Sequence, residues 1–170
     1  MTLGGVRRLV APVGQNRQVQ IPAKADYAIR SLLTLADSHG AMSAERLARE
    51  QNLPPKFLGA IMSDLRREEI VRSRRGAEGG FELNRPADQI TVADVLRALS
   101  GPMAGVRGQR PETLEYEGLA LPLRDVWVAV RASLRDVLEH VTIADIATNN
   151  LPEAVTRYTS DPDAWTTHTS

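Results

Sequence analysis

The sequence predicts a mostly α-helical chain with one small β-hairpin, built as a winged helix-turn-helix followed by a long C-terminal helix. Three observations predict it. Residues 43–51 and 54–67 are short amphipathic segments separated by a joint of a few residues, the spacing of a helix-turn-helix. Directly after them, Ile70-Val71 and Phe81 to Leu83 are β-prone runs flanking an arginine- and glycine-rich stretch, the composition of a hairpin. Beyond Leu121, apolar residues recur at alternating steps of 3 and 4.

The bulk properties bound what such a chain does. Its 170 residues suffice for one core plus an appendage, and with only 4% aromatics that core must be aliphatic. No run of eighteen apolar residues is present and the N-terminus lacks a signal-like apolar region, so we expect a cytoplasmic protein that makes no membrane contact. Cysteine is absent, which removes disulfides, thiol nucleophiles and thiolate-held metal or iron–sulfur sites. The net charge of zero hides a segregation. Residues 1–76 carry 13 Lys or Arg against 7 Asp or Glu, and residues 77–170 carry 8 against 14. A basic first half points to a polyanionic partner for that half; chance unevenness would give the same totals.

Residues 1–20 contain no acid and show no period, and are read as a flexible N-terminal arm. Pro22 suits a first helical turn, and Ala25, Ala28, Ile29, Leu32, Leu33 and Ala36 supply one buried face. His39-Gly40 is expected to close that helix, with glycine in a left-handed exit. Ser43 can cap the second helix and Pro54-Pro55 can open the third, whose buried face is Leu58, Ile61, Met62 and Leu65. Arg66, Arg67, Arg72, Arg74 and Arg75 then fall within ten residues, next to Gly76 and Gly79-Gly80. A solvated charged turn has the same composition, but the helix pair immediately upstream favours a DNA-facing wing.

These residues carry a family resemblance. Lys24 to Ala28, Leu53 to Leu58, Ser63 to Arg66 and Val71 to Leu83 are similar in order and type to the Rrf-two family of bacterial winged-helix regulators, of the IscR, NsrR and CymR kind. The match continues through Arg85-Pro86, Ile90 to Val92 and Ala98 to Pro102, and covers roughly residues 21–147. The resemblance implies a homodimeric DNA-binding transcription factor, usually a repressor on a promoter dyad. It also implies that the loop at 101–120 occupies the place where sensor members hold an iron–sulfur cluster on three cysteines. This chain has none there, so no cofactor is expected.

Thr91 with Asp94 makes a capping-box start for a fourth helix, with Val92, Val95, Leu96 and Leu99 as its apolar stripe beneath the wing. The long helix is expected from Leu121 to about Val141, some 30 Å at about 1.5 Å per residue. Its seam is Trp127, Val130, Leu134, Val137, Val141 and Ala144. A monomer could cover its own core with that stripe; the resemblance implies a dimer interface through Trp127, Val130, Leu134, Val137 and Val141. Thr142 to Asp145 repeats the capping-box spacing, and a largely unstructured polar tail is expected after it. The organisation is therefore an arm (1–20), a winged helix-turn-helix (21–100), a loop (101–120), a dimerisation helix with a short terminal helix (121–147) and a polar tail (148–170).

Other chemistry lacks residues. His39, His140 and His168 have no ligand spacing, so no metal is expected, and no serine or threonine has a paired base, so catalytic residues are absent and the chain is not an enzyme. The expected partner is double-stranded DNA, read by helix 54–67 in the major groove and by the wing in the minor groove. The candidate contacts are Ser43, Pro55, Lys56, Phe57, Gly59, Ala60, Ser63, Arg66, Arg67, Arg72, Arg74, Arg75 and Gly76. Gly59 and Ala60 offer no hydrogen bonds where many relatives carry longer polar side chains. That departure supports an alternative, a winged-helix module that docks a protein instead of DNA. A regulator switched by a small-molecule effector is the third reading.

Overall fold

The computed structural model describes residues 21–38, 40–76 and 79–166. The N-terminal arm, His39, Ala77-Glu78 and His168 lie outside the described residues. The chain is mostly α-helical with a small β-hairpin wing, as its sequence predicts.

Helix α1 (Ala23–Asp37) forms the floor. It buries Ala25, Ala28, Ser31, Leu32 and Leu35, and the Ser31 hydroxyl donates to the Tyr27 carbonyl at 2.7 Å. Helices α2 (Ala44–Glu50) and α3 (Pro55–Arg67) stand on it. Leu32, Leu47, Leu58, Ile61, Met62 and Leu65 meet in a core free of solvent. The joint between α2 and α3 turns at Asn52, with φ 53°, and is held by Leu53 N–H donating to Ala48 O at 2.8 Å. Ser43 caps α2 by accepting from the Arg46 amide, and Pro55 sits at the start of α3, where a missing N–H costs nothing.

The wing follows α3 after a turn at Glu69. Strands β1 (Val71–Arg74) and β2 (Gly80–Leu83) pair antiparallel, with Val71 opposite Leu83 and Arg74 opposite Gly80. The hairpin packs on α1 and α3 through Val71, Phe81 and Leu83, and it is also hydrogen-bonded to the segment just before α2. Met42 N–H donates to Phe81 O at 2.9 Å, and Phe81 N–H donates to Met42 O at 2.8 Å. This brings β2 so close that a Cβ on Gly80 would stand 2.2 Å from the Met42 carbonyl oxygen. Gly80 also has φ +154°, so only glycine fits.

Helix α4 (Val92–Ser100) packs on α1 and α3, not beneath the wing as the sequence suggested. After a loop with short 3-10 turns, α5 (Leu123–Leu138) runs back, and α6 (Ile143–Ala147) returns to α1. The starts of α4 and α6 are tied side by side: Val92 N–H donates to Val141 O and Ile143 N–H donates to Ile90 O, both at 2.9 Å. Each start carries a complete capping box, Thr91 with Asp94 and Thr142 with Asp145.

Four expectations are corrected. The exit of α1 uses no left-handed glycine; the Ser38 hydroxyl makes it, within bonding distance of the Leu35 and Gly40 carbonyls. Helix α5 ends at Leu138 because the Thr142 box starts a new helix, which interrupts the seam before Val141 and Ala144. Val141 is 6% exposed, inside the tie to α4. Finally, the tail contains a helix, α7 (Glu153–Thr159), which packs on α5 through an Arg157–Asp136 ion pair. The Trp165 indole N–H caps that helix by donating to Thr159 O at 2.8 Å.

Two outcomes follow. Gly80→Ala must push β2 off Met42, and urea unfolding should show a loss of about 3 kcal/mol. Asp145→Asn tests the α6 cap. The Thr142 hydroxyl, and then the Thr142 amide, hold the Asp145 carboxyl below the usual carboxylate range. Its folded pKa is lower than its unfolded value of about 3.9, so its contribution is full above that value and is lost as pH falls through the folded pKa. The variant should lose on the order of 1 kcal/mol at pH 7, and its deficit relative to wild type should shrink as pH drops below about 4.

Candidate nucleic-acid interface

Burying Leu58, Ile61, Met62 and Leu65 dictates what α3 shows to solvent. At 3.6 residues per turn, the opposite face carries Lys56, Ala60, Ser63 and Arg66–Arg67, all exposed. Pro55 is exposed at the helix start, where Pro54 supplies no side-chain cap to the first-turn amides. Gly59 is half-buried, and a Cβ there would meet nothing within 4 Å, so packing does not require glycine. Phe57 is 41% exposed and meets the Tyr27 ring edge-on, with centroids 6.0 Å apart. That contact gives Phe57 a packing role alongside its exposure.

Ion pairing divides the basic residues into two sets. Arg67 donates to Asp64 at 2.9 Å, and Asp64 also holds Lys24 of α1. Lys24 first, and then Arg67, keep the Asp64 carboxyl below its usual range. Arg72 donates to Glu82 across the hairpin at 2.8 Å. Lys56, Arg66, Arg74 and Arg75, by contrast, are exposed and have no carboxylate within ion-pair distance among the described residues. Four of the six basic candidates therefore have guanidinium or ammonium groups ready for an external anion. Gly76 follows Arg75 at φ +116°, a turn conformation open to glycine.

The wing and the helix pair share an open cleft. Ser43, Arg46, Arg74 and Gly79 line it, with Thr34 and Glu50 opposite. Arg46 is a site residue that the sequence alone did not single out. Its position three residues after the Ser43 cap is the signal that points to it, and Glu50 engages its Nε at 3.3 Å. The cleft brings Ser43 beside Arg74; Lys56 and Ser63 lie outside it, on α3.

Trp127, Val130, Leu134 and Val137 occupy one face of α5, a sixteen-residue helix with no buried residue. Val130 and Leu134 are 44% and 38% exposed, and Val126 beside them is 49% exposed. The Trp127 indole N–H is shielded from water and has no acceptor among the described residues. Among the described residues no helix is long and apolar enough to cross a membrane.

Known proteins share this architecture. A family model described as "Rrf2: Iron-dependent Transcriptional regulator" matches residues 21–149. An HTH-type transcriptional regulator of Mycobacterium tuberculosis is 46% identical over 145 residues, 84% of this chain and 90% of that protein. The HTH-type transcriptional regulator CymR of Bacillus subtilis is 34% identical over 131 residues, 76% of this chain and 90% of CymR. The solved structure of B. subtilis CymR, titled the global cysteine regulator, superposes with a TM-score of 0.66 at 33% identity. It is covered over 99% of its length, and 78% of this chain is matched. IscR of T. potens gives a TM-score of 0.63 at 28% identity, over 77% of this chain and 88% of that one.

The iron in the family description does not fit these residues. The chain has no cysteine, and no group of three His, Asp or Glu suited to a metal exists among the described residues. The winged helix-turn-helix and the matched relatives nonetheless agree: the chain belongs to the Rrf2 family of HTH-type transcriptional regulators, a cysteine-free member and not an enzyme.

Proposed function

We propose that the protein is a cytoplasmic homodimeric repressor that occupies a pseudo-palindromic promoter site. Residues 21–100 form its DNA-binding unit, joined by the loop 101–120 to a dimerisation segment within 121–147. One α3 of each protomer enters the major groove, and the two half-sites lie about 34 Å apart. Lys56 and Ser63 face base edges, and Arg66 holds a phosphate. The wing lays Arg74 and Arg75 along the minor groove, where the potential is most negative. The observation that carries this reading is that Lys56, Arg66, Arg74 and Arg75 have no carboxylate within ion-pair distance among the described residues, while Arg46, Arg67 and Arg72 beside them are paired with Glu50, Asp64 and Glu82.

The dimer part of the proposal rests on α5. An amphipathic helix that buries none of its residues within its own chain leaves an apolar face that a second copy can cover. Trp127, Val130, Leu134 and Val137 form that face. Val141 drops out, because its own chain buries it.

The small face at Gly59-Ala60 supports a second reading, a module docking a protein partner. One experiment separates the two. In a gel shift with the DNA immediately upstream of its own gene, affinity should fall steeply with salt, by about 0.9 log units per log unit of salt for each phosphate neutralised. Arg75→Ala should weaken an A-tract site more than a random duplex. Binding that ignores salt, or no binding at all, would favour the protein-docking reading.

A further inference from the structure

A second cluster of arginines lies away from the DNA-facing surface. The end of α4, the loop 101–112 and the flank of α5 enclose an open cleft of about 720 Å³. Arg97 enters it from α4, Arg110 from the loop, and Arg131 and Arg135 from successive turns of α5. Two carboxylates answer these four cations. Glu112 pairs with Arg131 at 2.5 Å, and a single oxygen of Glu139 accepts both from Arg97 and, at 2.9 Å, from Arg135. Asp94 stands 3.9 Å from Arg97 but is already engaged by Arg85 and by the Thr91 cap. Arg110 forms no close ion pair among the described residues, although, behind Glu112's own backbone amide and Arg131, its charge also helps hold the Glu112 carboxyl below its usual range.

With Arg85, the group has five arginines against Glu112, Glu139 and Asp94, two more positive charges than negative ones. Arg131 and Arg135, at i and i+4, repel each other. The Arg131 side chain is only 19% exposed, so its charge is poorly screened by water. Glu139 shows what the cluster grips: a carboxylate held between guanidiniums from α4 and α5. Arg135 first, and then Arg97, keep that carboxyl below its usual range. Guanidinium forks match carboxylate and phosphate geometry equally well.

We propose that this cleft binds a compact polyanion, a small molecule bearing phosphate or several carboxylates. Its oxygens take the place of Glu139 between Arg97 and Arg135 and reach Arg110, which forms no close ion pair of its own. The ligand exchanges an internal tie between α4 and α5 for its own contacts, which gives it a route to alter how the DNA-binding unit sits on the long helix. This deepens the regulator reading by giving an effector a site and a chemistry, and it rests on that reading only for the consequence at DNA.

Calorimetric titration of the full chain, without DNA and at fixed ionic strength, tests it. Pyrophosphate probes the phosphate source and citrate the carboxylate source. Saturable binding of at least one, with one site per protomer, is expected. Arg110→Ala, which breaks no ion pair, should weaken it at least tenfold. Arg75→Ala, on the wing, should leave it unchanged. No saturable heat with either anion, no effect of Arg110→Ala, or an equal loss in Arg75→Ala would overturn the proposal. Because no DNA is present, failure of the DNA reading would leave this result standing.

Discussion

Two hydrogen bonds between Met42 and Phe81 hold the rest of this structure in register. They join the wing to the residue just before the Ser43 cap, which fixes β2 against the start of α2. The close approach also excludes any side chain at Gly80. A two-stranded ribbon alone is marginal in water, and this one is held by that pairing together with Val71, Phe81 and Leu83 packed on the core. A matching tie, from Ile90 and Val92 to Val141 and Ile143, sets the other side: it anchors both ends of the excursion that carries α5. Between the two ties lies an aliphatic core with almost no polar atoms, in which Gln51 reaches the Thr34 hydroxyl at 3.0 Å.

This rigidity matters because the exposed cations are few. Internal pairing ties Arg67 to Asp64 and Arg72 to Glu82, while Lys56, Arg66, Arg74 and Arg75 on α3 and the wing have no carboxylate within ion-pair distance among the described residues. Those four stand on α3 and on the wing, which pack directly against each other through α3 and β1. The recognition face between them is short of hydrogen-bonding groups at Gly59 and Ala60, so shape and phosphate contacts carry a larger share of any affinity.

Much of this was legible in sequence because it is local. The period of Leu58, Ile61, Met62 and Leu65 fixes the buried side of α3, and the Thr91 and Thr142 boxes announce their helices. The failures were contests between signals, or contacts between residues far apart in the chain. At Val141 a heptad spacing competed with a capping box, and the box won where Val141 O and the Ile143 amide are taken up by the backbone tie to Val92 and Ile90, with Val141 buried beside it. At Ser38 a hydroxyl closed the helix where glycine seemed the obvious choice. The division of the arginines depends on Glu82 lying across the hairpin and on Lys24 reaching Asp64 from forty residues away, which no short pattern contains. The arginines of the second cleft come from three separate elements and meet only in the fold.

The central claim is that a symmetric pair of winged helices reads both grooves of a duplex. Dimethyl sulfate interference tests it most directly, since the reagent methylates guanine N7 in the major groove and adenine N3 in the minor groove. On the DNA upstream of its own gene, the account predicts two symmetric sets of interfering guanines about 34 Å apart, each flanked by interfering adenines. Interference at a single unpaired site, or at neither groove, would contradict it.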